Sequence, residues 1–352
     1  MMRSKRLMER LAARGISAAL IHKRVNMRYL SGYTGEGCLL VTDEGMTVFT
    51  DFRYVEQVSR QAPESRCVRT RNGQELHALV REALGGRQSL AIEDDFLSHK
   101  EYCYFADNLP GVALHSMERE VERLREIKEE SEIASIQRAA AIACAAFDKL
   151  LGLIRPGVTE KELATELDYL MLRGGAERTG FDTIACAGAN GSLPHAIPSD
   201  YKIREGELIT FDFGAVADGY TSDMTRTVAL GKISDELRAI YDTVLTAQQM
   251  ALEAIRPGVV CNAVDKVARD FIDARYPGAF GHGLGHGVGL EVHENPRFNQ
   301  SCADVLVPGH VITVEPGVYV PGLGGCRIED MAIITKDGFI DPITAPKHLI
   351  TL

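Results

Sequence analysis

Between residues 3 and 14 apolar side chains recur at helical spacing among charged ones: Leu7, Met8 and Leu11 stand between Lys5, Arg6, Glu9 and Arg10. That pattern predicts an amphipathic helix. Short apolar runs then take over. Residues 18–21, 38–41, 46–50, 89–92 and 112–115 are long enough for strands and too short for helices. Asp43-Glu44-Gly45, between the second and third of these runs, predicts a hairpin. Residues 53–62 and 74–84 read as helices, the second closed by Gly85-Gly86. Alternating signals of this kind predict a small α/β domain, and it carries no glycine-rich phosphate loop.

Residues 118–137 are densely charged, which predicts a solvated helical connector. The domain boundary is placed there, dividing residues 1–123 from 124–352. An alanine-rich helix is expected over 133–154. The second part contains a repeat: Ile154-Arg155-Pro156-Gly157-Val158 recurs as Ile255-Arg256-Pro257-Gly258-Val259, each copy between two helical patterns. Pro-Gly after a helix is a stop signal on its own. The shared setting points further, to an internal duplication and two related halves with a cleft between them, a natural place for a site.

Composition narrows the function. The 352 residues suffice for two domains, and 45% apolar with 25% charged residues is the balance of a globular protein. No run approaches the roughly 20 apolar residues of a membrane span. The basic start is interrupted by Glu9, Arg10 and Arg14 and reads as a helix rather than a signal peptide, so a cytoplasmic protein without a membrane partner is expected. A net charge of −10 disfavours a nucleic-acid partner. The eight cysteines are scattered without a C-x-x-C pair, so free buried thiols are expected.

The candidate chemistry lies in the second part. Asp212 interrupts the β-prone run 208–213, and Asp218-Gly219 is a strong two-residue hairpin turn. Counting back from that turn sets Asp212 opposite Thr225. Asp212 and Asp223 then share one face of the hairpin as diagonal neighbours, with Cβ atoms roughly 7–8 Å apart. Two carboxylates so placed can grip cations between them. The plainer alternative is one exposed Asp and one paired with Arg226. Residues 281–290 hold five glycines with His282 and His286, and His293 follows. Glycine lets such a segment approach its neighbours closely and aim its imidazoles. Glu315, in Val314-Glu315-Pro316-Gly317, and Glu329, in Arg327-Ile328-Glu329-Asp330, lie beside apolar strands. Two Asp, two Glu and one His form an oxygen-rich set able to hold two divalent ions. Mn²⁺ suits it best, and Co²⁺, Fe²⁺ or Zn²⁺ also fit.

These motifs, taken together and in this order, resemble the pita-bread metallopeptidases (aminopeptidase P, prolidase, methionine aminopeptidase and the metal-free creatinases), over the whole chain. The resemblance implies an α/β N-terminal domain of the creatinase/prolidase type followed by a duplicated α+β pita-bread catalytic domain. It implies a hydrolase that cleaves the bond between an N-terminal residue and proline in small peptides. Asp212, Asp223, His286, Glu315 and Glu329 would be the metal ligands, with Asp223 and Glu329 shared by both ions. A water held between the ions would be the nucleophile and Glu315 the proton shuttle. By the same resemblance His195 faces the leaving proline, His293 contacts the carbonyl oxygen and His282 lines the substrate side. Tyr319 and Arg327 support the ligands from behind. None of these ten positions departs from the family pattern.

A homodimer is likewise implied. The N-terminal domain separates the chain from methionine aminopeptidases, while dipeptidase and aminopeptidase remain alternatives. So do a hydrolase acting on another amide or on a phosphotriester, and a non-catalytic binding protein on this fold. The last predicts a lost ligand, and none is lost.

Overall fold

The computed structural model describes residues 3–71 and 75–352, and the chain divides into two compact units, Met1–Arg125 and Glu126–Leu352. The first runs α1 (Arg3–Ala12), β1 (Ala18–Ile21), α2 (Arg24–Ser31), β2 (Cys38–Thr42), β3 (Gly45–Thr50), α3 (Val55–Gln61), β4 (Arg66–Arg69), α4 (Leu76–Leu84), β5 (Ser89–Ile92), α5 (His99–Asn108), β6 (Ala113–Ser116) and α6 (Glu120–Arg125). Its strands form one sheet in the order β4-β3-β2-β1-β5-β6. β1, β2 and β3 pair antiparallel, and β4, β5 and β6 join in parallel. Leu20, Leu40, Phe49 and Leu90 from the sheet pack with Val80 and Phe105 from the helices. The expected helix 74–84 begins at Leu76, and position 74 lies outside the described residues.

The expected solvated connector over 118–137 is corrected. α6 ends at Arg125, the next helix starts at Glu130, and Glu120, Arg125, Lys128 and Glu132 are buried. Each has a partner. Arg10 Nε lies 2.5 Å from Glu120 Oε2, and Arg125 Nη1 donates to Asn26 Oδ1 at 2.8 Å. Lys128 Nζ meets Glu294 Oε2 at 3.0 Å, and Tyr220 OH donates to Glu132 Oε1 at 2.5 Å. Charge is tolerated inside a protein where it is compensated in this way.

The second unit has two comparable halves. The first half runs α7 (Glu130–Leu151), α8 (Glu160–Arg173), β7 (Arg178–Thr179), β8 (Ile184–Ala187), β9 (Glu207–Phe213), β10 (Ala215–Ala217), β11 (Tyr220–Thr221) and β12 (Met224–Leu230). The second runs α9 (Asp235–Ala254), α10 (Cys261–Asp273), β13 (Gly285–Gly287), β14 (Glu294–Phe298), β15 (Val311–Val314), β16 (Gly317–Val320), β17 (Gly324–Arg327), β18 (Asp330–Ile334) and β19 (Phe339–Ile340). β12-β9-β8 form the central sheet of the first half, and β14-β13-β15-β18-β19 that of the second. Phe147 of α7 stacks on Phe213 with ring centroids 5.7 Å apart, while α9 and α10 cover the second sheet.

The repeated pentapeptides behave alike. Gly157 and Gly258 have φ of 89° and 90°, a conformation glycine adopts without strain. The Gly157 amide donates to the Ile203 carbonyl at 2.9 Å, and the Gly258 amide to that of Leu306 at 2.8 Å. The return bonds, Ile203 N to Val158 O and Leu306 N to Val259 O, are both 2.9 Å. The same local sequence thus follows a helix and ties the chain to a distant segment in the same way twice. Among the described residues no helix is long and apolar enough to cross a membrane. All eight cysteines are free, with Cys67, Cys103 and Cys302 partly exposed rather than buried.

Candidate metal centre

A tight turn places the first two acids. Asp218 and Gly219 have φ of 48° and 77°, both left-handed as a type I′ turn requires. Ala217 therefore pairs with Tyr220 and Asp212 with Thr225, the register implied by the sequence. Asp212 and Asp223 both line a cavity of about 470 Å³.

Glycine places the imidazole. A Cβ at Gly285 would come within 2.0 Å of the Thr313 carbonyl oxygen, and one at Gly287 within 2.2 Å of that of Asn295. Only glycine allows β13 to lie this close to its neighbours. His286 Nδ1 lies 3.1 Å from the Gly287 carbonyl, which puts the ring proton on Nδ1. The Nε2 lone pair then faces Glu315 Oε1 at 3.2 Å and Asp223 Oδ2 at 3.6 Å. Asp223, His286 and Glu329 each offer a ligand atom within 4.8 Å of the others. Asp212 and Glu315 line the same cavity.

This cluster is short of positive charge. Asp212 Oδ1 is buried without a hydrogen-bond partner among the described residues. Burial raises the Asp212 carboxyl above its ordinary range. Burial, and then repulsion between neighbouring carboxylates, push Asp223 and Glu329 well above theirs. At Glu315 burial acts in the same direction, but without metal a protonated His286, with the charges of His282 and Arg327, outweighs burial and holds the carboxyl at about 2. Converging oxygens and one imidazole nitrogen, undercompensated and buried, fit divalent cations of hard to borderline character.

Arg327 braces the cluster. Its Nη2 meets Asp212 Oδ2 at 2.6 Å. Its Nε donates to Thr225 Oγ1 at 3.1 Å, and that hydroxyl donates to Glu329 Oε2 at 2.7 Å. Its Nη1 reaches the Pro194 carbonyl at 3.2 Å, just before His195, and Tyr319 OH at 2.8 Å. One guanidinium thus orients two carboxylates and tethers the loop of a third site residue.

Nine of the ten residues expected from the sequence line the cavity, and Tyr319 stands behind them. The Tyr319 hydroxyl lies 2.9 Å from His282 Nε2, and His282 Nδ1 lies 2.8 Å from the Gly283 carbonyl. Both ring nitrogens of His282 are therefore engaged by the protein, and the cavity meets its ring. His293 packs edge-on against His286, with centroids 4.4 Å apart. Arg226, the alternative partner for an Asp of the hairpin, pairs with Asp330 instead.

The match to known proteins agrees with this geometry. The model of metallopeptidase family M24 matches residues 134–336, and that of the creatinase/prolidase N-terminal domain matches residues 3–127. The chain belongs to metallopeptidase family M24. This M24 peptidase is 37% identical to the Xaa-Pro dipeptidase of Pyrococcus horikoshii, over 95% of this chain and 94% of the relative. The solved structure of a Xaa-Pro dipeptidase from Bacillus anthracis superposes with a TM-score of 0.95 at 39% identity, covering 99% of both chains. That of an X-Pro aminopeptidase from Thermotoga maritima gives 0.91 at 34% identity, covering 99% of this chain and 100% of the other. The M24 peptidase thus combines a creatinase-type N-terminal domain with a pita-bread catalytic domain, as its motifs implied, and is a metal-dependent enzyme.

Three contributors were not singled out from the sequence. Thr225 was readable in principle, since the hairpin register sets it opposite Asp212. Thr313, which accepts the His286 amide at 3.0 Å and donates to Glu315 Oε1 at 3.1 Å, gave no signal of its own. Neither did Arg297, which lines the cavity opposite His286 in the β13–β14 ladder.

Proposed function

We propose that this M24 peptidase hydrolyses the bond between an N-terminal residue and proline in short peptides, dipeptides included. The observation that carries this reading is the His286 Nε2 lone pair turned into a ring of buried carboxylates at the foot of a cavity. The prolyl substrate is supported by the activities named for the similar proteins. It is also supported by the apolar side chains of Phe181, Ile184 and Val292 in the cavity wall, which suit a pyrrolidine ring.

Asp212, Asp223, His286, Glu315 and Glu329 would hold two divalent ions, best Mn²⁺, with Asp223 and Glu329 shared between them. When bound, the ions supply an acidified water and polarise the scissile carbonyl. The protein does the rest. Desolvation, and then nearby His286 and Arg297, push His293 down to about 4, so its ring is neutral at working pH. An N–H of that ring donates to the carbonyl oxygen as charge develops there. Glu315 would take the proton of the attacking water and return it to the prolyl nitrogen, which as a tertiary amide leaves only when protonated. His195 lies beside the wall that receives proline.

Arg297 is matched to the free carboxylate of a dipeptide. Arg297→Gln is expected to raise KM for Ala-Pro by roughly ten- to a hundredfold, the equivalent of about 1.5–3 kcal/mol for a charged hydrogen bond. The effect on Ala-Pro-Ala, whose carboxylate lies further along, should be smaller. Equal effects on both peptides, measured by steady-state kinetics, would remove the assignment.

The test of the reading as a whole is hydrolysis of Ala-Pro and Ala-Pro-Ala by chelator-treated protein, with and without added Mn²⁺. Metal-dependent cleavage of the dipeptide alone makes it a prolidase, and cleavage of both places it with aminopeptidase P. Silence on both with every metal tried removes the prolyl assignment. We also place the protein in the cytoplasm, which the eight free thiols support, and expect a homodimer, which sedimentation velocity would detect.

A further inference from the structure

Behind the carboxylates lies a second buried charged cluster that the chemistry above does not use. Arg226 on β12 and Asp330 on β18 have side chains only 1% and 0% exposed, and Arg226 Nη2 meets Asp330 Oδ1 at 2.6 Å. The other donors of Arg226 are also engaged. Nε donates to the Pro346 carbonyl at 3.0 Å, and Nη2 donates to that of Ala345 at 2.8 Å. Nη1 donates to the Thr225 carbonyl at 2.9 Å and the Glu329 carbonyl at 2.6 Å. Asp330 Oδ2 takes Gln248 Nε2 at 2.5 Å and Lys347 Nζ at 2.6 Å. Lys347 Nζ also reaches Asp341 Oδ2 at 3.0 Å, and the Lys347 carbonyl accepts Tyr241 OH at 2.9 Å.

We propose that residues 341–347 form a positioning strap for Glu329, acting through Arg226 and Asp330. The proposal rests on Glu329 being a metal ligand. Glu329 is held from two sides. In front, its carboxylate accepts the Thr225 hydroxyl. Behind, Arg226 grips its carbonyl, and the next residue, Asp330, is fixed by Arg226, Gln248 and Lys347. The strap supplies two of the carbonyls that complete Arg226 and the ammonium that completes Asp330. Without Lys347, a fully buried carboxylate loses its second cation. Asp330 is then left to Arg226 and Gln248, and removing one partner from a buried charged group destabilises the arrangement that remains. Arg226 and Asp330 directly follow Thr225 and Glu329 in the chain, so a change in how the pair is held passes to the Thr225 hydroxyl and the Glu329 carboxylate. Groups that orient ligands from outside the coordination sphere change metal affinity by about 10–100-fold when removed.

A segment that merely sealed the core would act on stability and leave metal affinity alone. Lys347 separates the two cases, because its side chain is 27% exposed and its loss leaves no large cavity. The experiment uses the full chain with Mn²⁺ alone as probe. Affinity is read by competition with a chelator, and the stability of metal-stripped protein by urea unfolding. Lys347→Met is expected to weaken Mn²⁺ binding by up to about 10-fold, the low end of the range for groups that touch a ligand directly, beyond any change in metal-stripped stability, and Lys347→Arg to restore most of it. Unchanged affinity in Lys347→Met, or no recovery in Lys347→Arg, would overturn the strap. Glu329→Gln is measured alongside. If it too binds Mn²⁺ normally, the reading of Glu329 as a ligand has failed, and not the strap alone.

Discussion

Asp223→Asn is expected to yield a folded protein that no longer binds the proposed pair of divalent ions and does not cleave Ala-Pro. The carboxylate oxygens of Asp223 and Glu329 converge with His286 Nε2, and an amide there offers a neutral oxygen or a donor where a cation needs an anion. Hydrolysis should fall by more than roughly 10³-fold, because water without its metals returns toward a pKa of about 15.7. Stability should move the other way. In the metal-stripped state Asp223 is a buried acid repelled by Asp212 and Glu315. The neutral variant should therefore unfold at no lower urea concentration than metal-stripped wild type. Wild type should gain about 2.7 kcal/mol at a metal concentration a hundred times Kd, and the variant should gain almost nothing. Metal analysis, peptide hydrolysis and urea unfolding with and without Mn²⁺ check the three parts. A variant that retained two ions per chain would show that Asp223 is not shared between them.

His293→Ala should separate chemistry from metal binding. Its ring packs against that of His286, yet Asp223, Glu315 and the Gly287 carbonyl already surround the other ring. Metal content should therefore be unchanged. kcat should fall by roughly 10²–10³, the usual cost of losing a hydrogen-bond donor to a developing oxyanion, and KM for Ala-Pro should change much less. Loss of metal from His293→Ala would contradict the role given to it.

What the sequence disclosed and what it hid follow from the range of the interactions. The β9–β12 register was legible because a local event, the Asp218-Gly219 turn, fixes every pairing beyond it. The crowding around Gly285 and Gly287 was legible in kind, since glycines clustered around histidines signal close approach. α5 was missed although its signal was present: Ser98 and Glu101 form a capping box at its start. β4 was missed because its Arg-Cys-Val-Arg sequence lies at the sheet edge, where polar side chains are tolerated. α2 lacks a side-chain cap at its start and left little to read. The charge run at 118–137 misled for another reason. Whether Lys128 is solvated depends on Glu294, far along the chain, and spacing carries no information about such a partner. Arg297 and the Arg226–Asp330 pair were hidden in the same way.

The two alike halves have a consequence for how the enzyme matures. Asp212 and Asp223 come from the first half, and His286, Glu315 and Glu329 from the second. No short stretch of chain carries all five proposed ligands, in contrast to the closely spaced ligands of a zinc finger. If these five residues hold the ions, complete coordination requires both halves to be in place. Loading of the proposed site is then expected to follow the folding of both halves rather than to start it.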